Sequence, residues 1–262
     1  MPRPAFAALL LAVLAAAPAQ AATIHIAGDS TAATYEARRY PQTGWGQMLH
    51  CALDDTVTVR NHARGGRSTR TFINEGRLDR IAEEIKPGDT LLIQFGHNDA
   101  NTVKIERYAD PMGAYRSNLA RMIAVARSAG AQPVLITPVI RRNWKDGRVQ
   151  ADFTPWSNAA RQLARELNVP LIDLEQDSRK WVEAAGEEGS KRYFLHYTAA
   201  DAVPAFPKGI DDDTHFSEIG ARGIAEIVAR DLKALGLPVS QHILADRPDL
   251  ARTTPLGRAE CH

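Results

Sequence analysis

The sequence TIHIAGDSTAAT, residues 23–34, joins an alternating apolar run to a turn of small residues. The run Thr23–Ala27 predicts a buried strand, and Gly28, Asp29 and Ser30 follow it directly as a tight turn. In open α/β sheets, ligands bind at the carboxyl ends of the strands, so Ser30 is placed where such folds carry out their chemistry. A serine hydroxyl is a weak nucleophile until a base removes its proton. Ser30 is therefore a candidate nucleophile that requires a base, an acid to orient that base, and an oxyanion site.

Strand-like and helical segments alternate along the rest of the chain. Four more apolar or β-branched runs indicate strands, at Thr56–Val59, Thr90–Phe95, Val134–Thr137 and Pro170–Asp173. Helical periodicity occurs in Met112–Ala129, Ser157–Leu167 and Ser217–Leu235. Such alternation is typical of βαβ units, which build a mostly parallel sheet covered by helices on both faces. We therefore predict an α/β fold, a three-layer αβα sandwich around a five-stranded, mostly parallel sheet.

The mature chain has the pattern of one domain. No internal repeat or low-complexity linker divides residues 22–262, so we predict a single domain there. A domain of this size buries roughly 70–75% of the surface of its unfolded chain. The tail from about Pro238 has three prolines and no clear period, and we expect it to wrap the surface.

Residues 1–21 have the pattern of a secretory signal peptide. One basic residue, Arg3, precedes an Ala- and Leu-rich run at 5–17, and Ala19-Gln20-Ala21 has the A-x-A form of a cleavage site. A membrane-spanning helix is the alternative, but the run is shorter than the ~20 residues that a span needs. We expect cleavage near Ala21, export to the periplasm or the medium, and no membrane segment in the mature protein.

The charge balance of the mature chain excludes one class of partner. When Arg3 is removed from the 32 basic residues, 31 remain against 31 acidic ones. Binding to nucleic acid requires a surplus of Lys and Arg, so we expect no nucleic-acid partner. Cys51 and Cys261 are the only cysteines. In an oxidising compartment they either form a disulfide that ties the tail to the body or remain two unpaired thiols, and the sequence leaves both open.

The segment Asp211–His215 supplies a candidate base and a candidate acid. Its sequence, DDDTH, precedes Ser217, whose hydroxyl suits the N-cap of the last predicted helix. We predict a loop here, with His215 as the base and Asp212, three residues earlier, able to reach the imidazole Nδ1. The alternatives are a solvated acidic turn and a calcium loop, but a calcium loop normally contains a glycine and this segment has none.

Two further strand ends carry candidate oxyanion donors. Gly65 and Gly66 follow the second predicted strand, and Asn98 follows the third. Backbone N–H groups and an Asn amide are suited to hold the oxyanion of a tetrahedral intermediate. Each segment alone is ordinary turn chemistry, but the carboxyl ends of parallel strands meet at one edge of the sheet. We therefore predict that both segments lie near Ser30.

Four blocks of the sequence together resemble the SGNH (GDSL-type) hydrolases. The blocks are Gly28-Asp29-Ser30, the turn at Gly66, Gly96-His97-Asn98-Asp99 and Asp212-Asp213-Thr214-His215. They occur in the order of that family and span nearly all of the mature chain. Longer matches resemble its rhamnogalacturonan acetylesterase branch, carbohydrate esterase family twelve, in residues 27–31, 44–46, 66–68, 95–99 and 214–217.

The resemblance implies a flavodoxin-like αβα sandwich and a role for each block. The implied catalytic residues are Ser30, Asp212 and His215, and the implied oxyanion donors are the N–H groups of Ser30 and Gly66 and the side chain of Asn98. The family's spacing of three residues selects Asp212 as the orienting acid, whereas from the sequence alone Asp211 and Asp213 stay open. No metal and no cofactor is implied.

The resemblance also implies a carbohydrate acetylesterase that acts on an acetylated polysaccharide or oligosaccharide. Rhamnogalacturonan, a pectin, is the implied substrate, and acetylxylan or another acetylated glycan is the alternative. A sugar O-acetyltransferase and a non-catalytic glycan-binding module are alternatives from other classes, although a binding module has no need for a nucleophile with its base. The candidate substrate contacts are Arg67, Trp45 and His97. We expect a monomer.

Overall fold

A five-stranded parallel sheet lies at the centre of the computed structural model, which describes residues 22–261. Its strands are, in spatial order, β2 (Thr58–Asn61), β1 (Thr23–Gly28), β3 (Thr90–Gln94), β4 (Gln132–Ile136) and β7 (Leu171–Ile172). Every pair of neighbouring strands in this sheet is parallel. The predicted five-stranded α/β sandwich is confirmed, with a sheet that is parallel throughout. The predicted signal peptide, residues 1–21, lies outside the described residues.

Helices and two small hairpins make up the other regular elements of the described chain. The α-helices are α1 (Trp45–Met48), α2 (Thr69–Asn74), α3 (Arg77–Glu84), α4 (Arg116–Ser128), α5 (Thr154–Glu166), α6 (Leu174–Ala185), α7 (Glu187–Ser190) and α8 (Glu218–Ala234). The 3₁₀ segments are Ala37–Arg39, Leu49–Ala52, Lys191–Tyr193, Ala199–Asp201 and Pro238–His242, and Pro111–Tyr115 is a π-helical turn. The hairpins are β5 (Trp144–Lys145) with β6 (Arg148–Val149), and β8 (Phe194–Tyr197) with β9 (Ile210–Phe216). Among residues 22–261, no helix is both long enough and apolar enough to cross a bilayer.

Helices cover the sheet on both faces because its inner strands are apolar on both sides. All five residues of β3 are buried. Leu91 and Ile93 of this strand belong to the apolar core formed with helices α2 to α5, and Leu92 belongs to the core formed with α1, α6 and α8. The two cores hold the sheet rigidly, so the turns at the carboxyl ends of its strands have fixed positions.

The acidic segment before the last helix differs from the prediction. Residues Ile210–Phe216 form β9, which pairs antiparallel with β8, and not the predicted loop. Three consecutive aspartates are poor strand formers, so the strand depends on its pairing with β8. The predicted N-cap of the next helix is present, because Ser217 Oγ accepts a hydrogen bond from the Gly220 N–H at 3.2 Å. The hairpin therefore ends in a well-defined helix start.

The chain after α8 is bound to the rest of the domain at several points. A disulfide joins Cys51 to Cys261, so the first of the two possibilities left open by the sequence is realised. The guanidinium of Arg222, which is buried in α8, donates hydrogen bonds to the carbonyls of Asp249 at 2.9 Å and Glu260 at 2.6 Å. The tail is thus fixed to the 3₁₀ segment Leu49–Ala52 by a covalent bond and to α8 by hydrogen bonds.

Candidate active site

The turn after β1 fixes Ser30 at the carboxyl edge of the sheet. The Asp29 carboxylate accepts hydrogen bonds from the N–H and the hydroxyl of Thr31, at 2.9 and 2.8 Å, and these bonds close the turn. The Tyr35 hydroxyl donates to the Ser30 carbonyl at 2.7 Å. Gly28 begins the turn, and a Cβ there would lie 3.1 Å from a backbone carbonyl oxygen of β3. Ser30 is therefore held on a rigid, largely buried turn.

His215 and Asp212 lie on β9 and contact each other directly. His215 Nδ1 is 2.7 Å from Asp212 Oδ2, and Asp212 Oδ1 accepts the backbone N–H groups of Thr214 and His215 at 2.7 and 3.0 Å. Burial disfavours the charge of Asp212, but these hydrogen bonds and the attraction of His215 outweigh it and lower the pKa of Asp212 to about 2. The carboxylate is therefore ionised at neutral pH and holds a proton on Nδ1 of His215, so that Nε2 is the nitrogen able to accept a proton.

The two neighbouring aspartates contact another histidine. Because successive side chains of a strand point to opposite faces, Asp211 and Asp213 project away from Asp212. His196 on β8 lies between them, with Nδ1 2.8 Å from Asp211 and Nε2 2.8 Å from Asp213. Of the three aspartates that the sequence left open, Asp212 is the one that contacts His215.

Two backbone hydrogen bonds connect β9 to the Ser30 turn. Thr43 and Trp45, which are two residues apart, donate their N–H groups to the carbonyls of Phe216 at 3.1 Å and Thr31 at 2.9 Å. These carbonyls belong to the residues directly after His215 and directly after Ser30. His215 and Ser30 are therefore anchored to the same short segment. A direct hydrogen bond between the serine hydroxyl and the imidazole stays a prediction.

The turn after β2 lies against the Ser30 turn. The Arg64 N–H donates to the carbonyl of Gly28 at 3.0 Å, which bonds this turn to the end of β1. A Cβ at Gly65 would lie 3.7 Å from the Ser30 Cβ. Gly66 has a φ of +79°, a left-handed conformation that glycine adopts without strain. The predicted backbone donor thus lies one residue beyond the point at which the turn contacts Ser30.

Asn98 lies in the turn after β3 and is oriented by two neighbours. Its Nδ2 donates to the carbonyl of Arg67 at 3.1 Å, and its Oδ1 accepts from Arg107 Nη1 at 3.3 Å. The second hydrogen on Nδ2 is left for an oxyanion. Arg107 was not identified from the sequence because residues 101–110 have no strand or helix pattern. The available signal was a basic residue shortly after the block Gly96–Asp99.

Asp99 is buried behind Asn98 and has a structural role. Its Oδ1 accepts a hydrogen bond from the backbone N–H of Thr69, at the start of α2, at 3.0 Å. Burial raises the pKa of Asp99 to about 7, and the charge of Asp29 contributes to this rise. Because α2 follows the Gly65–Gly66 turn, this bond holds the two predicted oxyanion segments together.

Two of the three predicted substrate contacts are contradicted by their burial. Trp45 is 0% exposed, lies in an apolar core and donates its indole N–H to Gln94 Oε1 at 3.0 Å. His97 is 5% exposed, donates from Nε2 to the carbonyl of Val139 at 2.7 Å and packs on the ring of Phe153. Both rings are used inside the protein, so neither has a face that is open to a sugar.

Arg67, the third predicted contact, is partly exposed and supports the glycine turn. Its Nε is 2.9 Å from Glu75 Oε1, and its Nη1 donates to the carbonyl of Gly65 at 2.8 Å. The guanidinium therefore fixes the backbone next to Gly66. A contact between Arg67 and a substrate stays a prediction.

Two groups of side chains within residues 22–261 have the composition of a metal site. They are His50 with Cys51 and Cys261, and His25 with His62 and Glu84. The disulfide consumes both thiols of the first group. In the second group the two imidazoles are bonded to each other at 3.1 Å, which a neutral histidine pair accounts for. Neither group includes Ser30, Asn98, Asp212 or His215.

A family model described as GDSL-like Lipase/Acylhydrolase matches residues 24–228. The matched region runs from β1 into α8 and includes Ser30, Asn98 and His215. The chain belongs to this family. The fold and the order of its blocks are therefore those of the GDSL-like hydrolases, as the resemblance implied.

Within this family, the chain is similar to two proteins of Bacillus subtilis (strain 168). It is 42% identical over 223 residues to the rhamnogalacturonan acetylesterase RhgT, and the aligned region covers 85% of this chain and 94% of that protein. It is 43% identical over 224 residues to the probable rhamnogalacturonan acetylesterase YesY, and the aligned region covers 86% of this chain and 98% of that protein.

The solved structure of protein YxiM from Bacillus subtilis has the same fold. It superposes with a TM-score of 0.72 at 30% identity and covers 85% of this chain, whereas this chain spans only 59% of that longer protein. An acetylxylan esterase from Geobacillus stearothermophilus superposes with a TM-score of 0.56 at 14% identity, over 81% of this chain and 96% of that one. The second likeness concerns the fold alone.

Proposed function

We propose that the protein is a serine esterase that removes O-acetyl groups from a plant cell-wall polysaccharide, with rhamnogalacturonan as the favoured substrate. The observation that carries this proposal is the Asp212–His215 pair, at 2.7 Å, anchored beside the Ser30 turn. An oriented base next to a serine serves acyl transfer and would serve no purpose in a binding module. The choice of substrate is supported by the two Bacillus relatives at 42% and 43% identity, a rhamnogalacturonan acetylesterase and a probable rhamnogalacturonan acetylesterase.

In the proposed reaction, Ser30 forms and then loses an acetyl ester. His215 Nε2 takes the proton of Ser30 Oγ, which attacks the acetyl carbonyl, and the ionised Asp212 stabilises the imidazolium that results. The oxyanion accepts hydrogen bonds from the N–H groups of Ser30 and Gly66 and from Asn98 Nδ2. The imidazolium then gives its proton to the leaving sugar oxygen. Water, activated by the same base, attacks the acetyl-serine and releases acetate.

A basic groove of about 330 Å³ beside the Ser30 turn supports an anionic glycan. Tyr35, which bonds the Ser30 carbonyl, lines it together with four arginines: Arg38, Arg39, Arg64 and Arg67. Two of the arginines pair with carboxylates, Arg38 with Glu36 and Arg67 with Glu75. The other two leave a local surplus of positive charge in a mature chain with no net charge. Such a surplus favours the carboxylate of a uronic acid, which rhamnogalacturonan contains.

Acetate release from a panel of substrates tests the proposal. Acetylated rhamnogalacturonan, acetylated xylan and p-nitrophenyl acetate are compared at equal acetyl concentration, with Ser30→Ala as the inactive control. We expect the highest kcat/KM on rhamnogalacturonan. A preference for acetylated xylan would make xylan the substrate and leave the proposed mechanism unchanged. Acetyl transfer to an added sugar in excess of hydrolysis would make the protein an O-acetyltransferase, and turnover by Ser30→Ala would remove the serine mechanism.

We also propose that the protein is exported and works as a monomer. The Cys51–Cys261 disulfide supports an oxidising compartment, in agreement with the leader pattern of residues 1–21. Sequencing the amino terminus of the protein recovered from outside the cytoplasm should find a start close to Ala22. Light scattering of the same material should give the mass of one chain.

A further inference from the structure

Arg107 contacts both parts of the proposed oxyanion site. Its Nη1 donates to Asn98 Oδ1 at 3.3 Å. Its guanidinium also lies against Gly66, because a Cβ built on Gly66 would be 3.4 Å from Nη2 and 3.5 Å from both Cζ and Nη1. Three atoms at nearly equal distances mean that the flat face of the guanidinium covers this glycine. One side chain therefore connects the backbone donor with the amide donor.

The two neighbours of Asn98 define which way its amide faces. A guanidinium only donates hydrogen bonds, so Arg107 selects the amide oxygen. The carbonyl of Arg67 only accepts, so it selects the amide nitrogen. Without Arg107, the Arg67 carbonyl alone would oppose a rotation of the amide by half a turn. A rotated amide would present oxygen lone pairs to the oxyanion in place of N–H, and this would destabilise the transition state.

Backbone hydrogen bonds hold Arg107 over this site. Its own N–H donates to the carbonyl of Lys104 at 2.8 Å, and the N–H of Ala109 donates to the carbonyl of Asp99 at 3.0 Å. The segment after Asn98 thus folds back onto the turn from which it starts. Within the described residues, the carboxylate that pairs with Arg107 is the exposed Glu106, at 3.8 Å from Nε, and such a surface pair is weak. The Arg107 side chain is 26% exposed, so its hydrogen bond to Asn98 is partly shielded from water.

We propose that Arg107 is a positioning residue of the esterase reaction, which holds the Asn98 amide with Nδ2–H toward the oxyanion. The inference rests on the proposed esterase function, and it assigns to Arg107 a role that acts through Asn98. When the acetyl carbonyl becomes tetrahedral, negative charge develops beside Nδ2–H. A cation bonded to the amide oxygen polarises the amide in the direction that strengthens this donor. Since the benefit appears in the transition state, Arg107 should affect kcat more than KM.

A double-mutant cycle with p-nitrophenyl acetate, a neutral ester, tests the proposal. Arg107→Met should lower kcat about 10- to 100-fold, less than the ~10²–10³ expected for loss of a whole donor, with KM changed less than about twofold. Arg107→Lys, which keeps a charge and a donor, should recover part of the loss. In the Asn98→Ala background, Arg107→Met should lower kcat by less than about twofold more, because its partner is already absent. Arg80→Met, at an exposed arginine of α3, is the matched control and should keep the wild-type kcat.

Several outcomes would overturn the assignment. Equal losses from Arg107→Met in the wild-type and Asn98→Ala backgrounds would show that Arg107 does not act through Asn98. A wild-type kcat in Arg107→Met would show that Arg107 has no positioning role. A rise in KM confined to acetylated rhamnogalacturonan would instead make Arg107 a residue that binds the carboxylate of the substrate. Thermal unfolding shows whether each variant is folded. If Arg107→Met does not fold, the double-mutant cycle is measured with Arg107→Lys. Absence of wild-type turnover on every acetyl ester would instead defeat the esterase proposal itself.

Discussion

Two histidine–aspartate pairs in this protein differ in the use of the second ring nitrogen. In His215, on β9, Nδ1 is 2.7 Å from Asp212, which leaves Nε2 for proton transfer, and the side chain is 29% exposed. In His25, on β1, Nε2 is 3.3 Å from Asp89 and Nδ1 is 3.1 Å from Nε2 of His62, and the side chain is 1% exposed. The first pair lies beside the turn that ends β1, whereas Asp89 directly precedes β3, toward the opposite edge of the sheet.

This difference teaches that a contact between a histidine and an aspartate is not by itself a catalytic signature. Burial lowers the pKa of His25, despite the hydrogen bond to Asp89, and it lowers the pKa of His62 to about 4. The rings of His25 and His62 are therefore neutral at physiological pH, and both nitrogens of His25 are occupied, one by His62 and the other by Asp89. A catalytic pair needs a ring nitrogen without a partner, access to substrate and a nucleophile nearby, and this is the role that we propose for His215.

Substitution of each histidine by glutamine should give the largest contrast. His215→Gln removes the base and should lower kcat on p-nitrophenyl acetate by about 10⁴- to 10⁶-fold, with little change in unfolding temperature. His25→Gln should keep kcat within about threefold and lower the free energy of unfolding by about 1–3 kcal/mol, because buried partners lose their hydrogen bonds. Steady-state kinetics and thermal unfolding of both variants measure the contrast. A stable but inactive His25→Gln would break it.

Substitution of Asp212 and of Asp89 should give the same contrast as the two histidines, with a smaller loss of activity than in His215→Gln. Asp212→Asn removes the charge that orients His215 and should lower kcat by about 10³- to 10⁴-fold in a protein that still folds. Asp89→Asn should retain activity and lose stability, because Asp89 accepts the N–H groups of Thr23 and Lys86 as well as the ring of His25. Comparable losses of kcat in both variants would argue against the assignment of Asp212 as the orienting acid.

His62, which is hydrogen-bonded to His25, should also make the stability of the protein depend on pH. The pKa of His62 is about 4 in the folded protein and about 6.5 in the unfolded chain, so between these values only the unfolded chain binds the proton. The contribution of His62 to the free energy of unfolding should therefore fall by about 1–3 kcal/mol as the pH drops from 6.5 to 4, and it should stay constant below pH 4. Urea unfolding across this range measures the slope. His62→Gln should flatten it, whereas a slope that disappears in His215→Gln would assign it to the other pair.

The sheet was predictable because each of its strands carries a local signal. The run Thr90–Phe95 matches β3 almost residue for residue, since a strand buried on both faces must be apolar throughout. The hairpin of β8 and β9 was not predictable in this way. Asp211 and Asp213 disfavour a strand locally, and what holds them is their contact with His196, which comes from a different strand.

The same distinction applies to the site. Ser30 and Asn98 were identifiable because each lies in the turn after a strand, and the strand ends fix where these turns lie. Trp45 was misassigned because an aromatic residue in a sequence gives no indication of its burial, and here it fills the core. Arg107 was missed because its contact with Asn98 depends on how residues 101–110 fold back, which no periodic pattern encodes.

The bond between Cys51 and Cys261 turns most of the polypeptide into a ring, with 210 positions separating its two ends. A single proteolytic cut inside this ring opens it without releasing a fragment. Residues 101–110 are an exposed place for such a cut, with the side chains of Val103 and Ile105 91% and 67% exposed. After that cut, the serine and the histidine would still belong to one covalent molecule, linked through sulfur, so a clipped enzyme would run as a single band until a reductant is added.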